Sequence, residues 1–208
     1  MIATTEITDV KKRIIEESLK LFMKYGVKSI TMNEIAQSCG ISKRTLYENF
    51  EDKDELLSIC VKTMNAHSRK ENQLLEDKSK NVLDFFMQSV QQLGEKTSQV
   101  NPNFYRELTK FHPNIAKEQL EHVENTVIPQ MTELIQKGIS EGVFRTDINI
   151  DLVIRLLLSQ FNFIINSDFI EKVKVPTPQI FQTVILHFVR SIATQKGLKN
   201  IEAFGKIK

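Results

Sequence analysis

Within twenty residues, "TMNEIAQSCGISKRTLYENF" (31–50), the chain starts a helix, stops it and starts another, and no other feature constrains the fold as much. Thr31 and Glu34 have capping-box spacing, in which a hydroxyl and a carboxylate satisfy free amides at the start of a helix over Met32–Cys39. Gly40 lets the backbone reverse direction. Ser42 then caps a short third helix over Lys43–Asn49. Ile35, Ala36, Cys39, Ile41, Leu46 and Phe50 let the two short helices cross and share a small core, with Ala36 small where they approach. A first helix over about residues 8–25 supplies the third wall. Its apolar stripe is Ile14, Ile15, Leu19, Phe22 and Met23, and Gly26 stops it. A fourth helix starts after Asp52, where Asp52 and Glu55 repeat the capping spacing.

Beyond about residue 78 the apolar volume grows. Phe22 and Phe50 alone precede residue 84, and the other eleven of the thirteen Phe follow it. Three- and four-residue apolar spacings predict helices at roughly 80–97, 102–112, 114–140, 150–170 and 178–195. Pro102, Pro113 and Pro178 fall at first-turn positions, where a missing amide costs nothing. "EGVFRTDIN" is the clearest non-helical connector. The chain is thus expected to be all-α, with a small helix-turn-helix domain (1–54) and a larger helical domain (55–208). The helices near 150–170 and 178–195 are apolar on more than one face, so each needs cover from the chain's own core and from a partner subunit.

Several functions are excluded by what the sequence lacks. Cys39 and Cys60 stand 21 positions apart without a second cysteine near either, so neither a disulfide framework nor a zinc site is expected. Both read as small buried hydrophobes in a reducing compartment. The N-terminus has no apolar core flanked by basic residues. The longest apolar stretch, Leu152–Ile165, is too short and too interrupted to span a bilayer. A cytoplasmic protein without a membrane partner is the expectation. No nucleophile elbow, phosphate loop or HExxH spacing occurs, and His67, His112, His122 and His187 are scattered. We therefore assign no catalytic residue, no metal and no cofactor.

With the corner's apolar positions inward, Ser42, Lys43, Arg44, Thr45 and Tyr47 face outward. Their ammonium, guanidinium, hydroxyls and phenol match phosphates and base edges of DNA. A tight helical corner carrying only solvated charges has the same spacing, and charge does not choose between the two. The whole chain has a formal net charge of +2, and residues 1–50 hold eight basic and six acidic side chains.

The wider segment "GVKSITMNEIAQSCGISKRTLYENFEDKDELL" does choose. It resembles the N-terminal DNA-binding domain of the TetR family of bacterial transcription regulators. The likeness lies in Gly-Val after helix one, T-M-N-E-I-A opening helix two, G-I-S-K at the turn, T-L-Y in the third helix, Phe50, and D-K-D-E-L-L opening helix four. It covers about 45 residues of the chain; the rest matches in helix content and in the G-I-S-E-G-V-F-R connector. The resemblance implies a recognition helix, Ser42–Asn49, in the major groove of a double-stranded operator. Lys43, Arg44 and Thr45 are implied as base readers, with Ser42 serving either base or phosphate. Tyr47, Thr31 and Lys53 are implied as clamps on the sugar-phosphate backbone, with Asn49 as a weaker contact. One departure is Glu48, whose carboxylate is expected to turn away from DNA.

The family resemblance also implies a homodimer on a pseudo-palindromic site, its recognition helices about 34–36 Å apart. It further implies a repressor released by a small, mostly apolar effector bound in the larger domain. Phe86, Phe104, Tyr105, Leu108, Phe111, His112, Val127, Met131, Phe161, Asn162 and Ile165 are the candidate pocket residues. Each has an ordinary role in core packing or capping as its alternative. The rival functional reading is an all-helical dimeric adaptor, or an activator, without ligand-controlled repression.

Overall fold

The computed structural model describes residues 9–97, 100–101 and 103–205. Pro102 lies outside them. The described residues are helical with no strand, apart from one antiparallel bridge between Phe144 and Ala193. They pack as two compact units. One takes the chain to Lys70 together with Val100–Ile115, and the other takes Glu71–Gln99 with the chain from Ala116 onward. Residues 9–54 fall wholly within the first unit.

The first unit is built on α1 (Asp9–Tyr25), α2 (Met32–Ser38), α3 (Lys43–Asn49) and the first part of α4 (Lys53–Lys78). α1 turns Ile14, Ile15 and Phe22 inward and ends at Gly26, whose φ of +84° suits a residue without a side chain. Leu46, Phe50, Leu56, Leu57 and Cys60 close the same core from α3 and α4. The final wall comes from far along the chain. α6 (Asn103–Phe111) inserts Phe104 and Leu108, and Ile115 follows from the start of α7 (Pro113–His122). Glu107 Oε2 accepts the Lys28 amide at 2.8 Å, and the Asn101 amide donates to the Met23 carbonyl at 2.7 Å. This docking was not read from the sequence, because it joins residues 79 positions apart.

The second unit centres on α5 (Val82–Thr97) against α11 (Thr177–Ile192), flanked by α8 (Ile128–Ser140), α9 (Ile150–Asn166) and α12 (Gln195–Gly205). Phe86 packs edge-to-face on Phe85 and Phe144, with ring centroids 5.7 and 5.9 Å apart. Gly138 makes room for Phe144, since a Cβ there would lie 2.2 Å from its ring. "EGVFRTDIN" is the connector expected, held by Arg145 and Thr194 amides donating to Ile192 and Val143 carbonyls at 2.8 and 2.9 Å.

Three helices depart from expectation for local reasons. The helix expected at 114–140 is continuous but contains a π-helical turn, Val123–Val127, just before Pro129. Proline has no amide to return to the carbonyl four residues back, and the turn before it widens, Ile128 bonding Val123. The helix expected at 150–170 ends at Asn166; Ser167 is extended and its hydroxyl accepts the Phe169 amide at 3.1 Å, opening the short α10 (Phe169–Val173). α11 stops at Ile192, because Ala193 extends to form the bridge with Phe144.

The expectation of two doubly apolar helices divides between α9 and α11. α9 buries Ile154, Leu157 and Ile164 and leaves Leu152, Leu156 and Phe163 exposed. α11 buries Ile180, Phe181, Ile185, Phe188, Val189 and Ile192, and its exposed positions are Gln179, Thr183, His187, Arg190 and Ser191. Its apolar faces are therefore covered within the unit itself.

Candidate nucleic-acid interface

The corner that presents α3 is fixed by backbone chemistry on both sides. Thr31 Oγ1 accepts the Glu34 amide at 3.3 Å while Glu34 Oε2 accepts the Thr31 amide at 2.7 Å, the reciprocal pair predicted. The Thr31 hydroxyl also donates to Glu34 Oε2 at 2.8 Å, and these bonds hold the Glu34 carboxyl below its usual range. Gly40 has φ +62° with nothing within 4 Å of a would-be Cβ, so its constraint is torsional rather than steric. The Ile41 amide returns to the Ala36 carbonyl at 3.0 Å and closes the turn. Ser42 Oγ then accepts the Thr45 amide at 3.0 Å as the cap of α3.

α3 is anchored by Leu46, which is completely buried, and by Phe50 at its end. Its outward edge is Ser42, Lys43, Arg44, Tyr47 and Glu48, all exposed. Lys43 Nζ lies 5.8 Å from the centre of the Tyr47 ring, a cation–π approach one helical turn apart. Arg44 Nε donates to Glu48 Oε1 at 3.0 Å. Glu48 thus lies on the same exposed edge as Arg44. The i,i+4 spacing of the two residues was the sequence signal for this pair.

Other predicted contacts are engaged within the unit. Thr45 is half-buried with its hydroxyl 2.9 Å from Ser42 Oγ. Asn49, also half-buried, donates through Nδ2 to the Thr45 carbonyl at 2.8 Å. Lys53 donates to the Val27 carbonyl at 2.6 Å, and burial pushes its ammonium pKa down. Thr31, Ser42, Lys43, Arg44, Thr45, Tyr47, Asn49 and Lys53 therefore belong to one compact unit, with the positive charge of its outer edge on Lys43 and Arg44.

The pocket candidates divide between the two units. Phe104 and Leu108 are core residues of the first, with Tyr105 packed against them and its phenol pKa raised by burial. Phe111 is about half exposed between the ammonium groups of Lys28 and Lys110, and His112 Nδ1 lies 3.0 Å from Asp54 Oδ1. Phe86 is core in the second unit, and Met131 and Phe161 pack against that same core. Ile165 packs beside Ile164, Ile180 and Phe181; Val127 ends the π-helical turn; Asn162 is exposed and accepts from Asn166 at 2.7 Å.

Two short helices at a glycine turn, the second capped, anchored from within and carrying donors along its outer edge, define a helix-turn-helix DNA-binding domain. Residues 14–58 match the family described as bacterial regulatory proteins, tetR family. The N-terminal domain belongs to that family. The chain is 35% identical over 102 residues to YvaF, an uncharacterised HTH-type transcriptional regulator of Bacillus subtilis (strain 168), over 49% of this chain and 53% of that one. It therefore spans about half the length of that relative. In fold it is similar to a TetR-family transcriptional regulator from Cytophaga hutchinsonii, with a TM-score of 0.71, 14% identity, and coverage of 92% of this chain and 100% of that one. It is also similar to FadR from Bacillus subtilis, solved in complex with stearoyl-CoA, with a TM-score of 0.66, 11% identity, and coverage of 87% and 98%.

Proposed function

We propose that the protein is a transcriptional regulator that binds a pseudo-palindromic operator as a homodimer, represses from it, and is released by a small, mostly apolar effector. The observation that carries the DNA-binding reading is the outward edge of α3. Its basic and phenolic side chains are exposed on a helix whose inner face is fully anchored by Leu46 and Phe50. In this reading Lys43 and Arg44 read base edges, while Ser42 and Tyr47 hold the backbone. Thr45 and Asn49 brace the helix and reach DNA only by exchanging the bonds described above. Thr31 and Lys53 act as clamps by the same exchange: a phosphate replaces Glu34 at the hydroxyl, or Val27 at the ammonium. Residues 1–54 are the DNA-binding part and 55–208 the effector and dimerisation part.

Dimerisation is supported by the exposed stripe Leu152, Leu156 and Phe163 of α9. The apolar effector is supported by the stearoyl-CoA of FadR, whose fold is similar.

The test is a fluorescence-anisotropy titration of the full chain onto DNA flanking its own gene and onto scrambled DNA, at several salt concentrations. Specific regulation requires a steep salt slope and at least about a thousandfold preference for one site. Lys43→Ala combined with Arg44→Ala abolishes that preference. Genome-wide selection that recovers no preferred fragment leaves the adaptor reading in its place.

A further inference from the structure

The Arg44–Glu48 pair runs against the stability of its own helix. A helix favours anions at its first turn and cations at its last, and an i,i+4 pair is stronger with the acid first. α3 has Arg44 in its first turn and Glu48 in its last, with no acidic residue at the start and no basic residue at the end. A local rule broken on an exposed edge points to function. The charge is also unhelpful to simple attraction, since Glu48 places an anion where phosphates would come.

We propose that Glu48 is a positioning residue that holds the Arg44 guanidinium by its Nε, leaving the two terminal nitrogens to read one guanine in each half-site. The inference rests on the reading of α3 as the recognition helix. Arg44 donates to Glu48 through Nε alone, at 3.0 Å, and no hydrogen bond from its terminal nitrogens occurs among the described residues. The Arg44 side chain is 89% exposed and the Glu48 side chain 57%, so the pair stands clear of the domain. A guanidinium anchored at Nε keeps the planar fork that matches guanine O6 and N7. An unanchored one must lose its rotational freedom on binding. Glu48 therefore gives up general affinity for discrimination at one base pair.

The test uses the full chain and selection from randomised DNA, followed by anisotropy on the selected site and its single-base variants. The wild type, Arg44→Ala, Glu48→Ala and Glu48→Gln are compared, with circular dichroism verifying that each is folded. Arg44→Ala identifies the base pair that Arg44 reads, at which the wild type prefers guanine by about five- to a hundredfold. Glu48→Ala lowers that preference to about threefold or less while binding scrambled DNA more tightly. Glu48→Gln, which retains an acceptor at the same reach, keeps more of the preference than Glu48→Ala.

Full guanine preference in Glu48→Ala overturns the inference. Equal loss in the alanine and glutamine variants overturns it too, since charge alone would then explain the effect. An Arg44→Ala variant that changes no base preference likewise overturns it. Failure of the wild type to enrich any motif overturns the DNA-binding reading itself, and this inference with it.

Discussion

Cys60 shows how far one residue's chemistry follows from its surroundings. It is completely buried, its thiol donates to the Ile15 carbonyl at 3.5 Å, and burial pushes its pKa up to about 12. Burial raises the Cys39 thiol as well. Because the thiolate is the reactive form, neither residue should react with a disulfide reagent in the folded protein at neutral pH. Both should react after denaturation, and an absorbance assay of released thiol counts them; a fast-reacting thiol in the native state would contradict the packing. Glu34 offers a pH test. Its carboxyl is held below its ordinary value of 4.5, chiefly by the Thr31 hydroxyl. A depressed carboxyl contributes stability that is present above 4.5 and lost as pH falls through the folded value. Acid unfolding of Glu34→Gln should thus show a shallower loss below about pH 4.5 than the wild type, and Thr31→Ala should cost about 1 kcal/mol at neutral pH in urea titration. These residues were legible in advance, because capping and thiol burial depend on neighbours close in sequence or on a short apolar pattern. Glu48 was less legible: its sign suggests avoidance of DNA, and only the structure joins it to Arg44 one turn back on the same exposed edge.

At the scale of the element, the α2–α3 corner follows from a few residues: Thr31, Glu34, Gly40, Ser42 and Leu46. Leu46 is the side chain that fastens α3 to the domain, and it has no exposure. Leu46→Ala should destabilise the protein by about 2–5 kcal/mol, as for other fully buried leucines, and on the proposed function should weaken DNA binding because α3 loses its seat. Denaturant midpoints and anisotropy on the same preparation measure both effects; a change below about 1 kcal/mol would mean that the α3 anchor lies elsewhere. Elements far from such signals were harder to delimit. Apolar periodicity runs through the π-helical turn without a break, and the proline that accompanies it is a single residue. The end of α9 depends on Ser167, within a polar break of only three residues, Asn166–Asp168, between apolar stretches. In α11 the composition suggested two apolar faces, yet the flanking helices cover the apolar residues and leave a polar edge. Composition reports how much apolar surface there is, but not which neighbour covers it.

For the whole molecule, the exposed apolar stripe of α9 carries the expectation of a dimer. Leu152, Leu156 and Phe163 lie four and seven residues apart, which aligns them on one helical face. Leu156→Glu together with Phe163→Glu should shift the protein to monomer in sedimentation velocity and weaken operator binding, with helix content unchanged. A dimer that survives both changes would remove α9 from the interface. The largest gap between sequence and structure lies in how the first unit is completed. Phe104 and Leu108 carry no mark that sends them to the N-terminal core, because such contacts are decided by tertiary packing. Their destination has a temporal consequence. A chain emerging from the ribosome at about 5–20 residues per second needs several seconds to pass from the end of the helix-turn-helix to Ile115. Until then the core around Phe22 and Leu57 lacks its last wall. A product terminated before α6 should therefore be a substrate for proteolysis rather than a small stable fragment, because its core is never closed.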